Sequence, residues 1–146
     1  MYIYIYIYMY MYMYMYIQVT SLASLEKLTM DREHLRDLTG LGKMMSLKTL
    51  SVAHNKLTAL PDDVTSLRGL KHLTLSGNQL KVLTSAVSEC EQLERLDLRS
   101  NQLRSLPAAL SRLKNLKQLD ASENQVILIL TYTYLLTCLL AYLLAD

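Results

Sequence analysis

The sequence predicts an α/β solenoid, with short parallel strands on a concave face and helical or 3-10 turns on the convex face. Three observations predict it. A leucine frame closing on asparagine recurs at Asn55, Asn78, Asn101 and Asn124, each 23 residues from the next. Leucines alternate inside the frame, as in Leu73-Thr-Leu75 and Leu96-Asp-Leu98. An apolar triplet at spacing three precedes each frame, as in Val64, Leu67, Leu70. A fixed period of this length marks a repeat architecture in which one unit cannot bury its apolar face alone.

The totals agree with one domain of this kind. A net charge of +2 is too small to imply nucleic acid or an acidic membrane. Two cysteines, Cys90 and Cys138, do not make a disulfide framework. The eleven tyrosines lie in the first 16 and last 15 residues, and every charge except Asp146 lies from Glu26 to Glu123. The chain therefore divides into a head (1–17), a repeat region (18–126) and a tail (127–146).

The head alternates Tyr with Ile or Met. A half-buried strand alternates apolar with polar residues, and this segment does not. It lacks the basic start and small-residue cleavage site of a signal peptide. It reads as low complexity, of the sort an alternating TA/TG nucleotide repeat would encode in frame.

Leu25–Ser46 is a degenerate repeat of 22 residues, with Leu25, Leu28, Met30 and Leu35 in the apolar positions and Glu33 in place of asparagine. A carboxylate accepts hydrogen bonds but cannot donate, so half of the asparagine's role should be lost there. Three full repeats follow over Leu47–Asn115. Leu60-Pro61 and Leu106-Pro107 suit turn exits, because proline has a fixed φ and no N–H; Thr84 replaces that proline in the repeat between. The triplets fit one turn of helix or 3-10 helix. After Asn124 the pattern fails, and the run to Ala145 carries no charge. The array thus joins both head and tail inside a repeat.

The asparagine ladder has a structural explanation. After each strand the chain turns sharply and leaves backbone N–H and C=O groups inside. An amide that both donates and accepts satisfies them and bridges to the next copy. The Leu-x-x-Leu-x-Leu-x-x-Asn-x-Leu pattern over residues 25–126, with its Leu-Pro step, resembles the Ras-suppressor-like class of leucine-rich repeats. That resemblance implies a non-enzymatic recognition scaffold for a protein partner, with no cofactor, in the cytoplasm.

Candidate chemistry is sparse. Cys90 occupies a position held by Leu67 and Leu113 and reads as a buried thiol. His54 and His72 lie five strand positions apart in the frame, roughly 16 Å, too far for one metal. His34 is out of register with both, so these read as surface histidines and no metal site is expected. The four glycines are scattered and form no phosphate loop. No Ser/His/acid set emerges, and no enzyme is expected.

The x positions of the strand motif form three exposed columns: Lys27, Thr49, His72, Arg95, Gln118; then Thr29, Ser51, Thr74, Asp97, Asp120; then Asp31, Ala53, Ser76, Arg99, Ser122. Their C-terminal half gathers Arg95, Asp97, Arg99, Asp120 and Glu123, the candidate partner site. Mixed charge suits a protein partner. Nucleic acid would want a basic stripe interleaved with aromatics. Two further readings stand beside the scaffold. Residues 126–145 are long enough to cross a bilayer as a helix, which would make the chain a tail-anchored protein displaying its repeats. Alternatively the chain is a non-functional fragment of a longer array.

Overall fold

A computed structural model describes residues 24–126. The head, the tail and residues 18–23 of the repeat region lie outside the described residues.

Alternating leucines make each strand short and one-sided. Five strands of three residues result: β1 (Lys27–Thr29), β2 (Thr49–Ser51), β3 (His72–Thr74), β4 (Arg95–Asp97) and β5 (Gln118–Asp120). All pairs are parallel, and the sheet runs β1-β2-β3-β4-β5 in chain order. Leu28, Leu50, Leu73, Leu96 and Leu119 fall in register at the strand centres and point into the core. The second apolar column, Val52, Leu75, Leu98 and Ala121, is also buried. The two outermost strand columns stand in the predicted register, Lys27↔Thr49↔His72↔Arg95↔Gln118 and Thr29↔Ser51↔Thr74↔Asp97↔Asp120.

The apolar triplets fold as 3-10 turns: η1 (Leu41–Lys43), η2 (Asp62–Ser66), η3 (Ser85–Glu89) and η4 (Ala108–Arg112). Every helix among the described residues is of this type. Bonds at spacing three explain it: the Leu67 N–H donates to Val64 C=O at 2.9 Å and Leu70 N–H to Leu67 C=O at 3.0 Å. At three residues per turn, side chains at i and i+3 eclipse, so one triplet presents one inward stripe. Cys90 sits in that stripe with no exposure, its thiol 3.6 Å from Val64 C=O. Burial pushes the thiol up to about 11.

Pro61 and Pro107 precede their turns at φ −69° and −65°. Thr84 adopts φ −62° and does what proline cannot. Its hydroxyl accepts from Ala86 N–H at 3.2 Å and donates to Asp62 Oδ1 at 2.7 Å, tying η3 to η2.

The asparagine ladder runs opposite to the direction read from the sequence. Each amide reaches back to the preceding repeat. Asn78 Oδ1 accepts from Leu57 N–H at 3.1 Å, while its Nδ2 donates to Val52 C=O at 3.0 Å and to its own Leu75 C=O at 2.9 Å. Leu75 C=O then accepts from Asn101, and Leu98 C=O from both Asn101 and Asn124. The result is a continuous ribbon of alternating carbonyls and amides beneath the turn. Glu33 departs further than expected. Its carboxylate is exposed and keeps neither half of the asparagine's role; its backbone N–H instead donates to Asn55 Oδ1 at 3.0 Å.

Before each rung the backbone turns left-handed: Arg32 (φ 63°), His54 (55°), Gly77 (68°), Ser100 (53°) and Glu123 (53°). The 22-residue repeat adds two more left-handed residues, His34 (φ 59°) and Gly40 (φ 93°).

Candidate functional site

The concave sheet places Arg95 and Asp97 on β4 and Asp120 on β5, with Asp97 and Asp120 directly opposite. Two like charges in facing strand positions repel. The chain relieves this in two ways. Asp97 Oδ1 accepts from Arg99 N–H at 3.0 Å, and Asp120 Oδ1 accepts from Ser122 N–H at 2.9 Å and from its hydroxyl at 2.6 Å. The Arg99 guanidinium also sits in the field of both carboxylates.

Arg99 and Glu123 pair with one another. Arg99 Nε donates to Glu123 Oε1 at 3.1 Å, Nη2 contacts the same oxygen, and the Ser100 hydroxyl donates to Glu123 Oε2. The hydrogen bond to Glu123 raises Arg99 above its usual value, and the bonds from Arg99 and Ser100 hold Glu123 below the usual carboxylate range. So Asp97 and Asp120 face one another, and Arg99 and Glu123 are committed to each other, whereas Arg95 lies opposite Gln118, five strand positions or roughly 16 Å from the frame position of Glu123. Arg95 has no ion-pair partner among the described residues. Arg95 and the second oxygens of Asp97 and Asp120 are the groups left for a partner.

Ion pairs along the edge preceding the strands were not anticipated. Glu26 meets Lys48 at 2.7 Å, and Glu94 meets Lys117 at 2.6 Å and Lys71 at 3.8 Å. The signal was present as opposite charges at spacing 22 or 23 in one frame position. Hydrogen bonds from Lys48 and Lys117 hold Glu26 and Glu94 below the usual range.

The histidines need one correction. His54 is exposed, but His72 is half-buried and its Nδ1 is shielded without a hydrogen-bond partner among the described residues. No group of His, Cys, Asp and Glu able to hold a metal occurs among the described residues. A shallow convex depression of about 460 Å³, lined by Asp62, Thr65, Thr84, Ser88, Glu89 and Arg112 together with Ala86 and Ala109, carries a Glu89–Arg112 ion pair at 3.7 Å. No described helix is long and apolar enough to cross a membrane.

Parallel three-residue strands stacked in chain order over one leucine core define a repeat solenoid. The chain belongs to the leucine-rich repeat family, whose model matches residues 23–80, 45–103 and 81–126. Proteins of this family are in general non-enzymatic protein-interaction modules. No curated protein matches the chain at a significant level. Among solved structures, a Leptospira interrogans leucine-rich repeat protein is similar at 35% identity and TM-score 0.69, over 70% of this chain and 26% of that one. The functional domain of InlJ from Listeria monocytogenes matches at 26% identity and TM-score 0.67, over 76% and 24%. The BIR3–SERK2 complex from Arabidopsis thaliana matches at 32% identity and TM-score 0.60, over 66% and 55%. The chain thus spans about a quarter of each bacterial protein.

Proposed function

We propose that the chain is a non-enzymatic protein-binding scaffold that engages its partner through the C-terminal half of the concave sheet. The observation that carries this is the Asp97–Asp120 pair beside Arg95, in register on adjacent strands over buried Leu96. A partner segment with a cation over the two carboxylates and an acid opposite Arg95 would complement it. The structural relative that is a complex of two proteins supports a protein as the partner class. Nucleic acid is not favoured, since residues 24–126 contain no Phe, Trp or Tyr to stack on bases. Without aromatic anchors, affinity from this face should be modest. A cytoplasmic location belongs to the same proposal and rests on the resemblance to the Ras-suppressor-like class; cell fractionation tests it.

Quantitative affinity capture tests the surface. Wild-type chain is compared with R95E/D97R/D120R and with the convex control R68E. The proposal expects the same proteins to be held by wild type and R68E and lost from the triple variant. Equal capture by all three sinks it.

A further inference from the structure

The edge that follows the asparagine ladder differs in charge from the edge that precedes the strands. The preceding edge is knit by the Glu26–Lys48 and Lys71–Glu94–Lys117 ion pairs. The following edge consists of the segments 34–38, 56–60, 79–83 and 102–106, which stack rung on rung. Lys56 N–H donates to Leu35 C=O, Gln79 N–H to Leu57 C=O and Gln102 N–H to Leu80 C=O, at 2.8 to 2.9 Å. Three residues in one frame position are basic: Arg36, Lys81 and Arg104, with Thr58 in the fourth rung and Lys56 two residues before it. All four cations are exposed, and none has an ion-pair partner among the described residues. The four segments hold one acid, Asp37, whose carboxylate is occupied by Leu38 N–H, Thr39 N–H and the Thr39 hydroxyl. This edge therefore holds more positive charge than the whole chain nets. Val82, 69% exposed, lies among the cations.

We infer that this edge is a second docking surface, taking an acidic protein segment laid across the rungs with a small apolar residue against Val82. Four rungs at about 4.8 Å spacing span roughly 15 Å, which about five extended residues cover. Cations without internal partners carry no intramolecular stabilisation and are free to pair with incoming carboxylates. A nucleic-acid strand would find no aromatic platform here. A bilayer surface would find one exposed valine and no amphipathic helix, too little apolar area to hold an interface. The acidic-protein chemistry rests on the binding-scaffold reading, but the surface does not, so each has its own variants.

The test uses the full chain and a fluorescein-labelled octapeptide of alternating Glu and Val, with the alternating Lys and Val peptide as control. Fluorescence anisotropy at 0.15 M salt should show binding of the Glu peptide that K81E/R104E weakens at least tenfold and K81Q/R104Q weakens by less. The convex variant R68E, at an exposed residue outside both surfaces, should stay within twofold of wild type. Wild-type affinity in K81E/R104E, equal loss in R68E, or no Glu-peptide binding overturns the inference. Phosphatidylserine vesicles are assayed in parallel. Vesicle binding lost in K81E/R104E, with no Glu-peptide binding, overturns it in favour of a membrane surface.

Discussion

Replacing Asn78 by alanine removes one link from the ribbon under the turns, and the structure allows its cost to be worked out. The amide accepts from Leu57 N–H and donates to Val52 and Leu75 C=O. The two carbonyls each keep another donor, because Asn55 also serves Val52 and Asn101 also serves Leu75. Leu57 N–H has no other partner and stays buried. An orphaned buried donor costs about 1–3 kcal/mol, and each weakened carbonyl roughly 0.5 kcal/mol. N78A should therefore destabilise by about 2–4 kcal/mol in urea unfolding with an unchanged m value. Hydrogen exchange should show the Leu57 amide losing protection first.

Two companion variants make the reasoning refutable. Asn124 is only half-buried, so N124A should cost clearly less than N78A. N78D keeps an acceptor for Leu57 N–H but sets an oxygen where Nδ2 stood, 2.9–3.0 Å from two carbonyls. That carboxyl should have a raised pKa in the folded state. Its deficit relative to wild type should then shrink as pH falls, because the protonated form donates, whereas the N78A deficit should not. Equal costs for N78A and N124A, or an N78D deficit independent of pH, would show that the amide ribbon is not what holds the turns.

Three more expectations follow from the same geometry. In a C138S background, Cys90 should resist Ellman's reagent at pH 8 until the chain is denatured. Its raised thiol pKa contributes stability that is full below about 9 and is lost as pH rises toward about 11; fast native labelling would contradict the burial. T84A should cost about 1 kcal/mol through loss of the cap on Ala86 N–H, and T84P should recover most of it, since φ at this site already matches Pro61 and Pro107; chemical denaturation separates the two. Glu26, Glu94 and Glu123 have folded-state pKa values below their unfolded ones, so their contribution is present above pH 4.5 and is lost as pH falls through the lowered values. Added salt should flatten that acid-side loss, and a salt-independent acid transition would remove these pairs as its cause.

Much of this fold could be read before any coordinates. The columns Lys27–Gln118 and Thr29–Asp120 followed from the period alone, because a repeat of fixed length stacks like positions on like. Glu33 stood out as the departing rung for the same reason. Other features escaped because periodicity is symmetric. It says that a neighbour lies 23 residues away and not on which side, so the backward reach of each asparagine was not legible. Thr84 looked like a lost proline, because its capping role depends on a hydroxyl aimed at Ala86 N–H and Asp62. The Arg99–Glu123 pair was hidden because each residue was read as free, while a left-handed φ at Glu123 brings its carboxylate to the neighbouring arginine. His72 was read from its surface column, and the shielding of Nδ1 by its surroundings has no sequence signal.

The left-handed position before each rung shows how the scaffold separates what must repeat from what can vary. A left-handed φ costs an ordinary residue roughly 1–2 kcal/mol, so glycine would be the economical choice at all five sites. Only Gly77 takes it. At Glu123 the strained residue pairs with Arg99 and Ser100, so strain and contact offset one another. At Gly77 the reason is steric as well: a Cβ there would stand 2.4 Å from His54 Nδ1 of the preceding repeat. His54 can lie over the next turn because Gly77 leaves room for it. Leucines and asparagines are fixed by the core and the ribbon, and identical rungs cannot tell one partner from another. Selectivity in such an array must therefore come from positions that differ between rungs: the strand columns, the left-handed sites and the basic edge. Neighbouring repeats adjust to one another there, so a charge swap at one rung acts on a surface of two.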